Sequence, residues 1–263
     1  MMKSIGDRRT TARSRLLLFG TLAFVALSFS AVAEEPWERE AAFLAGETLE
    51  CAGCNLAGLS LKWRNLEGAD LSNANLEDTT FHAANLRGAN LSGASAAYAN
   101  FNRADLTAAI LRGADLTEAM FFAAAASGAD FSEARLEDAR MGNATLIRTV
   151  LEGVNLERAD LRGARLTDAR LAGAILTAAD MRDTTLFRAD LRDLSAEGAN
   201  FANSDMRNAN LSGAVLAGSN FNGADLGETN LTSANLIGAN LIRANLYSAN
   251  LTGTIMPDNR VHP

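Results

Sequence analysis

The chain has 263 residues, a formal charge of −7 and hydrophobic residues at 48% of its positions, but aromatic residues at only 6%. The acidic balance excludes the electrostatic footprint of a nucleic-acid binder, so no direct nucleic-acid binding is expected. Two cysteines and two histidines leave little material for a metal centre or a cofactor site, and none is expected.

The N-terminus reads as a targeting segment. Arg8, Arg9, Arg13 and Arg15 precede an apolar run from Leu16 to Phe29, and Ala31-Val32-Ala33 then fits the small-x-small cleavage rule. The run is short for a membrane-spanning helix. Residues 1–33 are therefore predicted to be a cleavable signal peptide, with export to the periplasm or beyond and no membrane association after cleavage. Arg8-Arg9 raises the twin-arginine route, but Thr10-Thr11-Ala12 lacks its usual apolar follow-up, which favours the general secretory route. The leader carries Lys3 and four arginines against Asp7, so the mature chain from Glu34 carries −11. That acidity permits attraction to basic surfaces, although the interspersed arginines make solubility the plainer explanation.

Residues 34–50 are predicted to form a cap segment. Pro36, the acids Glu38 and Glu40, and Gly46 at the end are helix start and stop signals. A short amphipathic helix here would place Trp37, Phe43 and Leu44 over whatever follows.

From Leu56 to Met256 every fifth residue is apolar, without a phase slip. Of these 41 centres only Ala96, Ala126 and Ala196 are not Leu, Phe or Met. Two residues before each centre sits a small residue, usually alanine, as in Ala69, Ala74, Ala84 and Ala89. The residue just before the centre is often Asn or Asp, as in Asn65, Asp70 and Asn75. A period of five matches neither a helix nor a strand, and a fixed short period sustained over this length indicates a solenoid. The centre and the small residue point inward together, and the other three positions face water. Sorted by every fourth unit, one column of centres reads Leu61, Phe81, Phe101, Phe121, Met141, Leu161, Met181, Phe201, Phe221 and Leu241. It gathers almost every central Phe and Met before the C-terminal end, with Phe131 and Met206 as the internal exceptions, which is expected if one coil is 20 residues. About ten coils at a strand spacing of about 4.8 Å make a rod on the order of 50 Å long.

These residues place the chain beside a known family. Stretches such as Gly68-Ala69-Asp70-Leu71-Ser72 and Gly238-Ala239-Asn240-Leu241-Ile242 resemble the pentapeptide-repeat motif over about Cys51 to Met256. The resemblance implies an all-β solenoid, a right-handed quadrilateral β-helix with four units per coil, over residues 51–256. Some members of that family are acidic rods that mimic DNA and protect type II topoisomerases from quinolones. A cleavable leader, and the absence of phase breaks that would mark projecting loops, argue against that role here.

Local departures carry their own expectations. Arg64 occupies a small-residue slot, where an inward charge is costly unless the first coil is open to water. Leu194 beside Ala196 looks like a volume swap, and Phe131 is expected to lean into the space over Ala126. Cys51 and Cys54 fall on inward positions of the first coil. A structural disulfide or two packed thiols is the plain reading in an oxidising compartment. A redox motif lacks its βαβ setting, and a metal site lacks a second ligand pair. His82 and His262 have no nucleophile fixed near them. The acids Glu77, Asp78, Glu118, Glu137, Asp138 and Glu157 share one column, with Arg135 and Arg158 mixed in, and read as a solvated side. The Asn-Leu-Ser and Asn-Leu-Thr triplets at Asn90, Asn210, Asn230 and Asn250 are by-products of the repeat.

Phe122, Phe187 and Tyr247 are aromatic in outward slots, and Phe122 beside Met120 is the best candidate contact patch. Ile237, Ile242 and Tyr247 gather near the C-terminal end, where residues 257–263 offer only a short cover. Together they point to end-to-end dimerisation through the last coils. The chain thus reads as an exported, non-enzymatic scaffold that binds a protein partner on its flat sides or at its ends.

Overall fold

The computed structural model describes residues 36–263, so the predicted leader and its cleavage site lie outside the described residues. The first element is helix α1 (Pro36–Ala45), with Glu38 in its first turn and Gly46 just past its end at φ 79°. Proline fits the first helical position because its missing N–H has no partner there, and the left-handed glycine ends the helix. Residues 39, 40 and 43 share one face at helical spacing, and that face meets the first coil. Phe43 is fully buried, Arg39 Nη1 donates to the Ala52 carbonyl at 3.0 Å, and Glu40 Oε1 accepts from the Asn55 amide at 2.6 Å. Of the three side chains expected over the coil, only Phe43 is there. Trp37 is 64% exposed and Leu44 39%, because residues 37 and 44 lie seven apart along a stripe about a quarter turn away from the docked face.

Beyond the helix, the chain winds in a constant register. Parallel bridges join Glu50 to Asp70, Asp70 to Asn90, and so on at 20-residue steps on all four sides, ending at Asn235 and Ile255. Three hydrogen bonds recur along the stack. Leu71 N donates forward to Asn90 O at 2.7 Å, Asn90 N donates back to Ala69 O at 2.9 Å, and Ala74 N closes a turn on Leu71 O at 3.2 Å. Each side is therefore a single bridge residue between two tight turns, with no longer strand formed.

The turns have a fixed conformation. All 41 residues two places after a centre, from Gly53 to Gly253, have positive φ. Glycine fills 16 of them, and the rest include Trp63, Tyr98 and Arg103. None is Val, Ile, Thr or Pro, the residues that sterics or ring closure keep out of this region. The Asn or Asp before the centre steadies the turn from its other side. Asn75 Oδ1 accepts from Glu77 N at 3.2 Å, and Asn90 Oδ1 from Ser92 N at 3.1 Å, each an Asx turn.

The interior is a column of side chains. Every centre from Leu56 to Leu236 is buried, and each such Leu or Phe contributes about 1.5–3 kcal/mol relative to exposure. Phe81, Phe101 and Phe121 stack with centroids 5.0 and 4.9 Å apart, and Phe201 on Phe221 at 5.1 Å, which is the coil spacing. Phe131 turns its ring edge to Phe121 at 6.0 Å. Seven buried Thr and Ser residues occupy small-residue slots, and each hydroxyl donates to a carbonyl, for example Thr79 to Leu56 and Thr149 to Ala126. None of these seven buried hydroxyls is left without a partner to oppose folding.

The two ends differ. Arg64 turns towards α1 and donates to Leu44 O and Phe43 O, both at 3.0 Å. At the other end residues 257–263 fold back over one side only. Val261 bridges Ile255 antiparallel, and His262 N donates to Thr254 O at 2.8 Å. On the remaining sides Leu241, Leu246 and Leu251 are half-buried, and their amides have no protein partner among the described residues.

Candidate functional site

Cys51 and Cys54 sit in the first coil beneath α1, both buried. The turn between them brings their Cα atoms to 5.2 Å and joins the sulfurs as a disulfide. Among the described residues no three His, Cys, Asp or Glu side chains are grouped to hold a metal ion, and no helix is long and apolar enough to cross a membrane.

The four sides carry different charge. The side with centres Leu61, Phe81, Phe101 and onward, called here the aromatic side, bears Lys62, Arg103, Arg140, Arg162, Arg182 and Arg243. Against these stand only Asp160, Asp180 and Asp183, a net of +3. The side before it in the chain, with centres Leu56, Leu76 and Ala96, is the acidic side. It bears Glu77, Asp78, Asp115, Glu118, Glu137, Asp138, Glu157 and Glu197 against Arg135 and Arg158, a net of −6. The acidic side was legible from its column. The cationic side was missed because its charges are spread over three outward columns and not concentrated in one.

Most surface arginines are already engaged. Arg162 grips Asp160 through both carboxylate oxygens at 2.8 and 2.6 Å, and Arg182 grips Asp180 in the same way. Arg188 does so with Asp168 one coil away, at 2.7 Å on each oxygen. The arginine hydrogen bonds hold Asp160, Asp168 and Asp180 below the ordinary carboxylate range. On the acidic side Glu118 stands beside the Tyr98 hydroxyl and raises its pKa.

Met120 and Phe122 meet on the aromatic side and form one wall of an open hollow of about 570 Å³. Its floor is Gly142, where a Cβ would come within 3.5 Å of the Phe122 ring, and Arg140 and Arg162 line its rim. Every residue lining the hollow belongs to this one side. Phe122 is 47% exposed. Ile242 stands in the Phe122 column six coils further on, and Ile237, Ile242 and Tyr247 stand on three successive sides of the open end, apart from the hollow. There Ile242 is 63% and Tyr247 76% exposed. Phe187 is roofed by Arg188 at 4.9 Å and Arg207 at 5.8 Å and offers no free ring. Trp63, 72% exposed with its ring edge-on to His82 at 5.5 Å, went unnoticed in the sequence because the leading signal there was Arg64.

The family model for pentapeptide repeats matches this chain in eight overlapping copies that run from residue 51 to residue 257. The chain belongs to the pentapeptide-repeat family. Members form right-handed quadrilateral β-helices and are in general structural or interaction proteins. Among solved structures, it is similar to HetL, a pentapeptide repeat protein involved in heterocyst differentiation regulation from the cyanobacterium Nostoc sp. strain PCC 7120. That match has 33% identity over 86% of this chain and 98% of HetL, with a TM-score of 0.40. A pentapeptide repeat protein from the Arabidopsis thaliana thylakoid lumen matches at 26% identity over 35% of this chain and 61% of its own, with a TM-score of 0.28. Full-length QnrB1, a plasmid-mediated fluoroquinolone resistance protein, matches at 16% identity over 74% of this chain and 92% of QnrB1, with a TM-score of 0.32. No curated protein matches. In this pentapeptide-repeat chain the outward residues are what distinguish one side from another, so they are where function is to be sought.

Proposed function

We propose that this chain is an exported, non-enzymatic scaffold of about ten 20-residue coils, capped at one end by α1, that binds a protein partner on its sides. The observation that carries this reading is the unbroken bridge register from Glu50 to Ile255. It leaves no loop to build a catalytic cleft, and presents rigid, preorganised sides at little entropic cost on binding. The Arg-rich, apolar leader and Ala31-Val32-Ala33 support export. A disulfide at Cys51 and Cys54 is the structural role proposed for that pair, in keeping with an oxidising compartment. The exposed Ile242 and Tyr247 beside unpaired coil amides support pairing of two copies through the C-terminal end.

The DNA-mimic alternative needs free, regularly spaced negative charge. Asp160, Asp180, Asp190 and Asp205 are each clamped by an arginine, which leaves the acidic side as the one side that could supply it, and the predicted leader would carry that side away from a cytoplasmic topoisomerase. The test is cell fractionation with N-terminal sequencing, joined to a photo-crosslinking scan. Photoreactive phenylalanine is placed at Thr117, Phe122, Ser127 and Ser132, one on each side. A mature chain starting near Glu34 outside the cytoplasm, with a protein adduct from at least one side, is expected. An intact cytoplasmic chain, or no adduct from any side, sinks the reading.

A further inference from the structure

The aromatic side holds a cation with nothing to pair with. In the bridge column Arg140 lies between Met120 and Asp160. Asp160 is the carboxylate it would be expected to use, but both oxygens of that group are taken by Arg162 at 2.8 and 2.6 Å. Arg140 is exposed and makes no ion pair among the described residues, and the same holds for Arg103 two coils earlier. Met120 and Phe122 stand in the coil between these two guanidiniums, and Arg140 itself lines the hollow over Gly142, whose two carboxylates, Asp160 and Asp183, lie in the coils away from Arg103. Two unpaired guanidiniums with the exposed Phe122 ring in the coil between them present a recognition surface for carboxylates with an apolar side chain between them.

We infer that this side docks an extended acidic segment of the partner protein, with a carboxylate on Arg140, a second on Arg103, and an apolar side chain between them against Phe122. The inference rests on the scaffold reading and names the partner's chemistry and the side that it uses. Spacing and width both fit. Two coils rise about 10 Å, and Arg103 and Arg140 stand at opposite edges of the side, so an extended segment of about four residues crosses it obliquely from one to the other. The neighbouring acidic side carries a net of −6 and repels any anion broad enough to reach it, such as a duplex or a lipid surface. A single extended chain fits within the cationic strip. Binding of this kind is steered by charge and weakens with salt.

The probe is a fluorescein-labelled dodecapeptide of four Glu-Leu-Ser repeats, titrated against the exported full chain by anisotropy, with a Lys-Leu-Ser peptide as control. Saturable binding of the Glu peptide alone is expected. It should weaken at least about tenfold in Arg140→Glu and about threefold in Phe122→Ser, and stay within about twofold in Arg170→Glu on the opposite side. Arg140→Gln, which adds no repulsion, should lose about fivefold and guards against an artefact of charge reversal. Absence of binding, or equal loss in Arg140→Glu and Arg170→Glu, overturns the inference. So does binding to phosphatidylglycerol vesicles in place of the peptide. A failed peptide together with photo-adducts from another side removes this docking mode and leaves the scaffold standing. No adduct from any side removes both.

Discussion

Arg64 Nη2 donates to the carbonyl oxygen of Phe43 at 3.0 Å, while Nη1 reaches Leu44 O at the same distance. A charge in an inward slot would be costly if buried without partners. Here it meets the last carbonyls of α1, at the negative end of the helix dipole; Leu44 O has no backbone donor among the described residues, and Phe43 O also accepts from the Gly46 amide at 3.0 Å. The irregular residue in the repeat is thus the one that ties the helix to the coil.

Replacing Arg64 with alanine should release this end. The expected loss is about 1–2 kcal/mol, for two charge-assisted hydrogen bonds at a partly exposed site. Hydrogen exchange should show residues 36–45 losing protection while the coils around Leu151 keep theirs. Uniform loss along the chain would contradict a local role.

The inward and outward assignment is tested by a pair of variants. Leu151 is fully buried in the middle of the stack, and Leu151→Asp should cost several kcal/mol, on the order of 4, by burying an unpaired charge. Arg162 is more than half exposed in an ion pair with Asp160, and Arg162→Ala should shift stability by less than about 0.5 kcal/mol. Urea denaturation separates the two, and equal effects would refute the assignment.

The corners make a backbone prediction. A Cβ at Gly173 meets nothing within 4 Å, yet φ is 66°. Gly173→Val should therefore cost about 2 kcal/mol from conformation alone. Ala178 holds φ 57°, and Ala178→Gly should fall within about 0.5 kcal/mol of the parent, since relief of strain offsets the greater freedom of the unfolded chain. A silent Gly173→Val would remove the claim that the left-handed corner is obligatory.

Acid should weaken the fold through the clamped aspartates. Arginine hydrogen bonds lower the carboxyl pKa of Asp160, Asp180, Asp190 and Asp205 in the folded chain. Their contribution is fully present above the ordinary aspartate value of about 3.9 and is lost as pH falls through the folded-state values. Denaturation midpoints should hold steady from about pH 8 to 5 and fall below about pH 4, with a shallower fall in 1 M salt. A variant with all four aspartates changed to asparagine should lose part of that dependence.

Thiol titration of the exported chain under denaturing conditions should find no free thiol before reduction. Cys51→Ala with Cys54→Ala should cost at most about 2 kcal/mol, since the closed loop is short. Reactive thiols in the untreated protein would favour the redox alternative.

Much of the fold is legible because one physical demand repeats. Leu71, Leu91 and Leu111 face the same interior, so burial writes itself into the chain at a constant interval, and the run of Phe81, Phe101 and Phe121 reveals the length of a coil. The conformation of the corners was only half legible. Glycine and asparagine announce a left-handed residue, whereas Trp63 and Arg103 do not, and the common property is the absence of branching at Cβ. The role of Arg64 depends on carbonyls twenty residues away that no local pattern exposes. Trp37 and Leu44 were misplaced because an apolar residue on a short helix signals burial only when its partners at helical spacing agree. The cation left over at Arg140 follows from the choice Asp160 makes between two arginines, which only the geometry decides.

The twenty-residue register also limits how this protein can change length. Adding or deleting a whole coil leaves every ladder in phase and only lengthens or shortens the stack. Adding or deleting a single pentapeptide keeps the core intact, because the interior repeats every five residues. Everything beyond that point, however, is turned by one side. Five residues lost between Arg103 and Arg140 would leave the stack folded while moving Arg140 around the corner from Arg103, so that half of the cationic strip faced a different neighbour. An edit that mismatches core side chains only at one junction would re-aim the whole surface beyond it.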